Sequence, residues 1–416
     1  MDSYGSHRRS TRGKRQPERC TVQIRGRVLG EDRASTVEVQ DGKIRRIDRS
    51  RPAEGALGDE SLVIAPAFID VQVNGVAGRN VNTANVTAEE IAAIPPHLHG
   101  SGTTMFCPTL TTGSAEQMTR SLKAIAEACR DPKMAHAIPG IHVEGPYISS
   151  EDGPRGAHVL QYVRDPDWDE FRRFQEAAEG RIKILTLAPE RDGAIPFIEK
   201  VAQSGVIVSL GHTGAQPAHI EAAVKAGARM STHLGNAAHA QLPRHPNYIW
   251  EQLAKDELWM GFIADGHHLP PAVVKCFVRA KGLERSVLVS DAVSLAGMPP
   301  GRYAGEAIFG LGDPREVDVS PEGKISLAGT PYLAGAGLLI HRCVQNIPRF
   351  CGLPLSDAIR MASHNPARLL GIQDQAGSVE VGRSADLTLL RWDVDQKTLK
   401  VEATLVQGEV VYKAER

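Results

Sequence analysis

Ser286-Val287-Leu288-Val289-Ser290-Asp291-Ala292 is a short apolar run that hands over to an acidic residue at its carboxyl end. Three earlier runs do the same with other metal-ligand side chains. Ile138 to Val143 ends at Glu144, Gly205 to Leu210 leads into Gly211-His212, and Ala228 to Thr232 leads into His233. In a (β/α)8 barrel the residues at the carboxyl ends of the strands gather on one face, so this pattern predicts such a barrel with a cation site at its mouth. A lone strand-end histidine is more often a hydrogen-bonded core or rim residue. Glu, His, His and Asp at four separate strand ends argue instead for one shared site.

Working outward, the middle of the chain alternates apolar runs with helical patterns. Expected strands are Leu62–Ile64 running on to Val71–Val73, Thr103–Phe106, Ile138–Val143, Ile182–Leu187, Val206–Leu210, Arg229–Thr232, Trp259–Ala264 and Val287–Ser290. Expected helices cover Glu116–Cys129, Glu170–Glu179, Ala194–Ser204, Pro217–Ala226 and Pro270–Lys281. About eight strand–helix units in sequence favour a closed α/β TIM barrel over a doubly wound sheet. The open sheet would want a glycine-rich phosphate turn leading into a helix, whereas Gly75 to Gly78 is followed by polar residues. At both termini the period changes to two: Thr21–Val28, Ser35–Val39 and Lys43–Ile47, with Asp41-Gly42 as a hairpin turn, and Ala385–Leu390, Thr404–Val406 and Val410–Tyr412. These pieces are expected to fold together as a small β-sandwich. The expected layout is a disordered basic tail at 1–19, a β domain from 20–64 and 373–416, and a catalytic barrel at 65–372.

Bulk composition narrows the function. The 48 basic residues nearly cancel 49 acidic ones, which leaves no electrostatic case for nucleic acid or a membrane surface. Six cysteines, at 20, 107, 129, 276, 343 and 351, show no CxxC spacing, and the basic N-terminus lacks an apolar signal region. No stretch approaches the roughly 20 apolar residues that span a bilayer. A cytoplasmic protein with reduced thiols is expected.

Glu144, His212 and His233 supply one oxygen and two imidazole nitrogens. That set suits Zn²⁺ and leaves a coordination position for water or substrate; Fe²⁺, Co²⁺ and Mn²⁺ take similar donors. Such a cation activates water and polarises a carbonyl, and Asp291 is placed to act as the general base. Other polar strand ends are Gln72, Asn74, Thr109, Glu190 and Asp265 with His268. His97 and His99 follow Pro95-Pro96 and read as scaffold or surface residues, and only one of the adjacent His267 and His268 is expected in a pocket. Met298-Pro299-Pro300-Gly301 reads as loop punctuation.

Several ordered segments carry a resemblance. They are Phe68-Ile69-Asp70-Val71-Gln72-Val73-Asn74-Gly75, His142-Val143-Glu144-Gly145-Pro146, Gly211-His212-Thr213, Thr232-His233-Leu234 with Asn236-Ala237, Ala264-Asp265-Gly266 with His268, and Ser290-Asp291-Ala292. From residue 21 onward the chain resembles the N-acetylglucosamine-6-phosphate deacetylases of the amidohydrolase superfamily. The resemblance implies one divalent metal on Glu144, His212 and His233, with Asp291 as acid and base and His158 on the amide carbonyl. It further implies that His268 and the backbone of Asn236 and Ala237 hold a sugar phosphate, and that Arg244 reaches a neighbouring subunit's phosphate in a homodimer. Where many amidohydrolases carry His-x-His, this chain has Gln72 and Asn74, poor transition-metal ligands that read as a vestigial second metal site. Gly235 and Ala238, small where the family is bulky, leave open N-acetylgalactosamine 6-phosphate or an N-acyl amino acid as the substrate. A non-catalytic binding paralogue is the reading from a different class.

Overall fold

The computed structural model describes residues 21–50, 54–310 and 313–415. The expected tail at 1–19 and Cys20 lie outside the described residues. Eight strands form one parallel sheet in chain order: β1 (Phe68–Val73), β2 (Thr103–Leu110), β3 (Ile141–Glu144), β4 (Ile182–Leu187), β5 (Ile207–Leu210), β6 (Met230–Ser231), β7 (Trp259–Phe262) and β8 (Ser286–Leu288). Helices separate all successive strands and cover the sheet, so β1 and β2 are buried along their whole length. Between β2 and β3 the helix Ala115–Ala128 starts at Ser114, whose side chain accepts the Gln117 N–H. Met118, Leu122 and Ile125 fall on one face at helical spacing and join the main core.

The two edges of the sheet meet. Val73 bridges Ala292 in parallel, the Asp291 N–H donates to the Gln72 carbonyl at 3.1 Å, and the Asn74 N–H donates to the Ala292 carbonyl at 2.7 Å. This seam closes the barrel at its functional end, just where β1 and β8 carry polar residues.

Outside the barrel, the terminal segments build one seven-stranded sheet in which Leu57–Pro66 lies between Thr21–Val28 and Leu387–Asp393. The sheet curls on itself around Ile24, Val37, Ile44, Leu62, Ile64, Leu387 and Leu405. Its Asp41-Gly42 turn therefore packs against Gln407 at the opposite edge. By apolar pattern alone, Leu62–Ile64 runs directly into the first barrel strand. The structure breaks the run after Pro66, and the Ala67 N–H turns to the Asp386 carbonyl at 3.0 Å. Apolar periodicity does not register that break, because both strands are buried.

A further unit was not anticipated. Following β8, Gly301–Ala304, Glu316–Val319 and Ile325–Leu327 form a small antiparallel sheet, with Val317, Val319 and Ile325 packed against Val293 and Leu295. Strands this short, with Arg302, Glu316 and Asp318 facing out, give too little alternation to read.

Candidate active site

Glu144 is the last residue of β3, and His212 and His233 follow β5 and β6 by two residues each. All three are buried. Glu144 Oε1 lies 3.1 Å from His212 Nε2 and 2.9 Å from His233 Nε2, and the two imidazole nitrogens are 3.1 Å apart. These contacts cannot all be hydrogen bonds. His212 donates its Nδ1 proton to the Pro154 carbonyl at 3.0 Å, so at most one further proton, on Nε2, faces the other two atoms. One N–H on His233 could serve only one neighbour. A cation between the three donors serves all of them, and the residues fit a divalent metal. Burial pushes Glu144 up, but the hydrogen bonds and charges of His212 and His233 outweigh it and hold the carboxyl well below its usual range.

The backbone at this rim is unusual. His212, His233, Ala237 and Asp291 all take positive φ, at 51°, 27°, 46° and 55°. Non-glycine residues enter that region at a cost, and their clustering marks a site held in shape by its surroundings.

Asp291 and the three donors line one cavity at the mouth of the barrel. Asp291 Oδ1 accepts the side-chain amides of Asn74 at 2.8 Å and Gln72 at 3.1 Å. The Gln72 amide also donates to Glu144 Oε1 at 3.0 Å, so it ties the two carboxylates together. Removal from water and the nearby Glu144 charge raise Asp291 to about 6, against the pull of His233, His268 and Asn74. His158 packs edge-on against His212 at 4.2 Å between ring centroids. Its Nδ1 accepts the Thr112 N–H at 3.3 Å and lies 2.8 Å from Thr112 Oγ1. Burial first, then the charge on His212, holds His158 well below the usual histidine range. The ring is therefore neutral with its proton on Nε2.

His268 lines the cavity and pairs with Asp265 through Nδ1 at 2.8 Å. Burial raises Asp265, but the His268 hydrogen bond and charge and two backbone N–H donors bring it below the ordinary value. Asn236 and Ala237 line the same cavity. His267 points away and approaches the Glu322 carbonyl at 3.2 Å. His97 and His99 sit on the helix Pro95–His99, outside the cavity lining. Arg244 is exposed on the loop after β6 and does not line the cavity of its own chain. Thr112 and the wall formed by Ile308, Phe309 and Leu327 escaped the sequence reading; nothing local in those residues distinguishes them from scaffold.

Residues 330–411 match the model of the amidohydrolase family. N-acetylglucosamine-6-phosphate deacetylase of Mus musculus is 34% identical over 414 residues, 95% of each chain. The chain belongs to the N-acetylglucosamine-6-phosphate deacetylase family. An N-acetylgalactosamine-6-phosphate deacetylase of Escherichia coli O157:H7 is also similar, 30% identical over 354 residues that cover 84% of this chain and 88% of that one. Among solved structures, a mutant N-acetyl-D-glucosamine-6-phosphate deacetylase from Mycobacterium smegmatis, in complex with N-acetyl-D-glucosamine-6-phosphate, superposes with a TM-score of 0.83. It is 31% identical, and the match covers 94% of this chain and 99% of that one. Membership of this deacetylase family agrees with the barrel, the terminal sheet and the Glu–His–His cluster. Among the described residues no helix is long and apolar enough to cross a membrane.

Proposed function

We propose that the enzyme hydrolyses the acetamide of N-acetylglucosamine 6-phosphate, releasing acetate and glucosamine 6-phosphate. The observation that carries this reading is the Gln72 amide bonded at once to Glu144 and Asp291, which sets a proton acceptor beside the cation donors. A single divalent cation on Glu144, His212 and His233, Zn²⁺ by donor chemistry with Fe²⁺, Co²⁺ and Mn²⁺ as alternatives, would supply a Lewis acid there. Asp291 takes the proton of the attacking water and passes it to the leaving nitrogen. Both amide donors converge on Oδ1, which leaves Oδ2 for that transfer. The Nε2–H of His158 donates to the carbonyl oxygen as negative charge develops on it. Gln72 and Asn74 turn their N–H groups to carboxylates, which supports one cation and a vestigial second site.

In this reading Asn236, Ala237 and His268 hold the phosphate end. Arg244, exposed on its own chain, serves a neighbour's phosphate in a homodimer, where its planar fork suits a dianion. A cytoplasmic location belongs to the same reading, since a charged sugar phosphate does not cross membranes unaided. The test is a panel of N-acetyl sugars and N-acetyl amino acids, with and without phosphate, run with metal analysis and a solution mass. Turnover confined to phosphorylated N-acetyl hexosamines is expected. Equal turnover of unphosphorylated sugars would sink the phosphate assignment, and faster turnover of the galacto epimer would replace the substrate.

A further inference from the structure

The cavity around the Glu–His–His cluster measures about 750 Å³, in the upper part of the roughly 300–1,000 Å³ range of small-molecule sites. Its sides differ in chemistry. Asn236, Ala237, His239 and His268 stand after β6 and β7. Across the barrel, Val293, Ile308, Phe309, Leu327 and Leu333 form an apolar wall above β8, beside the polar Asn82, Thr111 and Thr112 of the loops after β1 and β2. The strands follow chain order around the barrel, so β6 and β2 face each other across its axis.

The apolar side is firmly built. Asn80 Nδ2 donates to the carbonyls of Ala307 at 2.9 Å and Ile308 at 3.1 Å, and the Ser294 hydroxyl donates to the Ala307 carbonyl as well. Arg315 lies over the Phe309 ring at 3.7 Å from the centroid. It pairs with Asp313 at 2.7 Å and donates to the carbonyl of Ala157, beside His158, at 3.2 Å. The wall is thereby fastened to the loop that carries His158.

An acetyl group presents one methyl to such a wall, far less than five apolar side chains can cover. We propose that this wall is an acyl subsite and that the enzyme also hydrolyses amino-sugar phosphates whose N-acyl chain is longer than acetyl. The inference rests on the reading above, with the phosphate at Asn236 and His268 and the scissile carbonyl at the Glu–His–His cluster. With those two ends fixed, the acyl chain extends toward the apolar wall that follows β8. The chemistry is the same: water oxygen bonds to the acyl carbon, the C–N bond breaks, and the nitrogen gains the proton. The products are a short-chain carboxylate and the free amino-sugar phosphate.

The test is kcat/KM for N-acetyl-, N-propionyl- and N-butyryl-glucosamine 6-phosphate, each buried methylene being worth up to about fourfold. The metal-loaded enzyme is expected to hold or raise kcat/KM along the series. Leu327→Trp, which narrows the wall, is expected to lower the butyryl-to-acetyl ratio by about tenfold or more. Calorimetric titration of the Asp291→Asn protein gives Kd for each compound without turnover and is expected to follow the same order. If the acetyl compound is hydrolysed but the first added methylene costs tenfold, the subsite is overturned and the deacetylase reading stands. A ratio unmoved by Leu327→Trp also overturns the subsite. If no N-acyl amino-sugar phosphate is hydrolysed, the acetyl compound included, the reading of the site falls and takes the subsite with it.

Discussion

Replacing Asp70 by asparagine should change how the stability of this enzyme depends on pH. Asp70 lies in β1 beneath the seam and is 2% exposed. Its Oδ1 accepts the N–H groups of Gln72 at 3.3 Å and Ser290 at 3.2 Å, so one carboxyl binds both edges of the barrel together. Burial pushes it up from 3.8 to about 7, with a further push from Asp291, against the hydrogen bonds of Ser290 and Gln72. A carboxyl whose folded pKa is raised keeps its proton in the folded state after the unfolded chain has released it. The stability it contributes is full below the unfolded value and is lost as pH rises through the folded one. A tenfold change in proton affinity is worth about 1.4 kcal/mol, so the whole span is worth about 4 kcal/mol, of which about 2–3 kcal/mol falls between pH 5 and 8. Asparagine keeps an oxygen for both N–H donors and does not titrate. Urea unfolding of both proteins at several pH values between 5 and 8 reads this share, because groups that do not interact with Asp70 cancel in the difference and the weaker coupling to Asp291 is a minor part of it. Wild type should lose about 2–3 kcal/mol relative to Asp70→Asn across that window. A difference that stays constant with pH, or one that grows in favour of wild type at high pH, would mean that folded Asp70 does not retain its proton above the unfolded pKa.

Asp291→Asn should cost about 10²–10⁴-fold in kcat while metal content stays at the wild-type level; turnover near wild type would end the assigned proton transfer. Glu144→Ala should reduce bound divalent metal, read by elemental analysis, from about one per chain to near none. Full retention there would mean that the cluster is not the metal site. Thr112→Val removes the hydroxyl beside His158 Nδ1 and should lower kcat about tenfold with little change in KM, as expected for a residue that orients a catalytic group. Equal loss in kcat and structural stability, with KM raised, would leave Thr112 only a packing role.

The donors were legible because each is announced locally. Glu144, His212, His233 and Asp291 each end a short apolar run, and that pattern survives without any knowledge of neighbouring strands. The identity of a strand as parallel and buried was legible for the same reason. Thr112 was not, since threonine after a strand is common and its task is set by His158, 46 residues away. Asp70 stands in the sequence as one acidic residue within an apolar run; its role as a seam carboxyl appears once Ser290, 220 residues away, is brought against it. The wall of Ile308, Phe309 and Leu327 escaped because the helical turn Glu306–Phe309 and the strand Ile325–Leu327 are too short to carry a period, and because Asn80, Ser294 and Arg315 hold it in place through non-local contacts.

By itself, the sequence determined the chemical inventory of this enzyme: which side chains stand at strand ends, that they suit a cation and a proton acceptor, and that the termini share a β unit. Tertiary structure alone decided their convergence. Closure of the seam between Val73 and Ala292 sets Asp291 beside Gln72 and Asn74, and left-handed backbone at His212, His233 and Asp291 belongs to that same rim. The physical reason is range. Side-chain alternation and apolar runs are written over a few neighbouring residues, whereas barrel closure, backbone strain and the shape of a cavity arise only when hydrogen bonds join residues hundreds of positions apart.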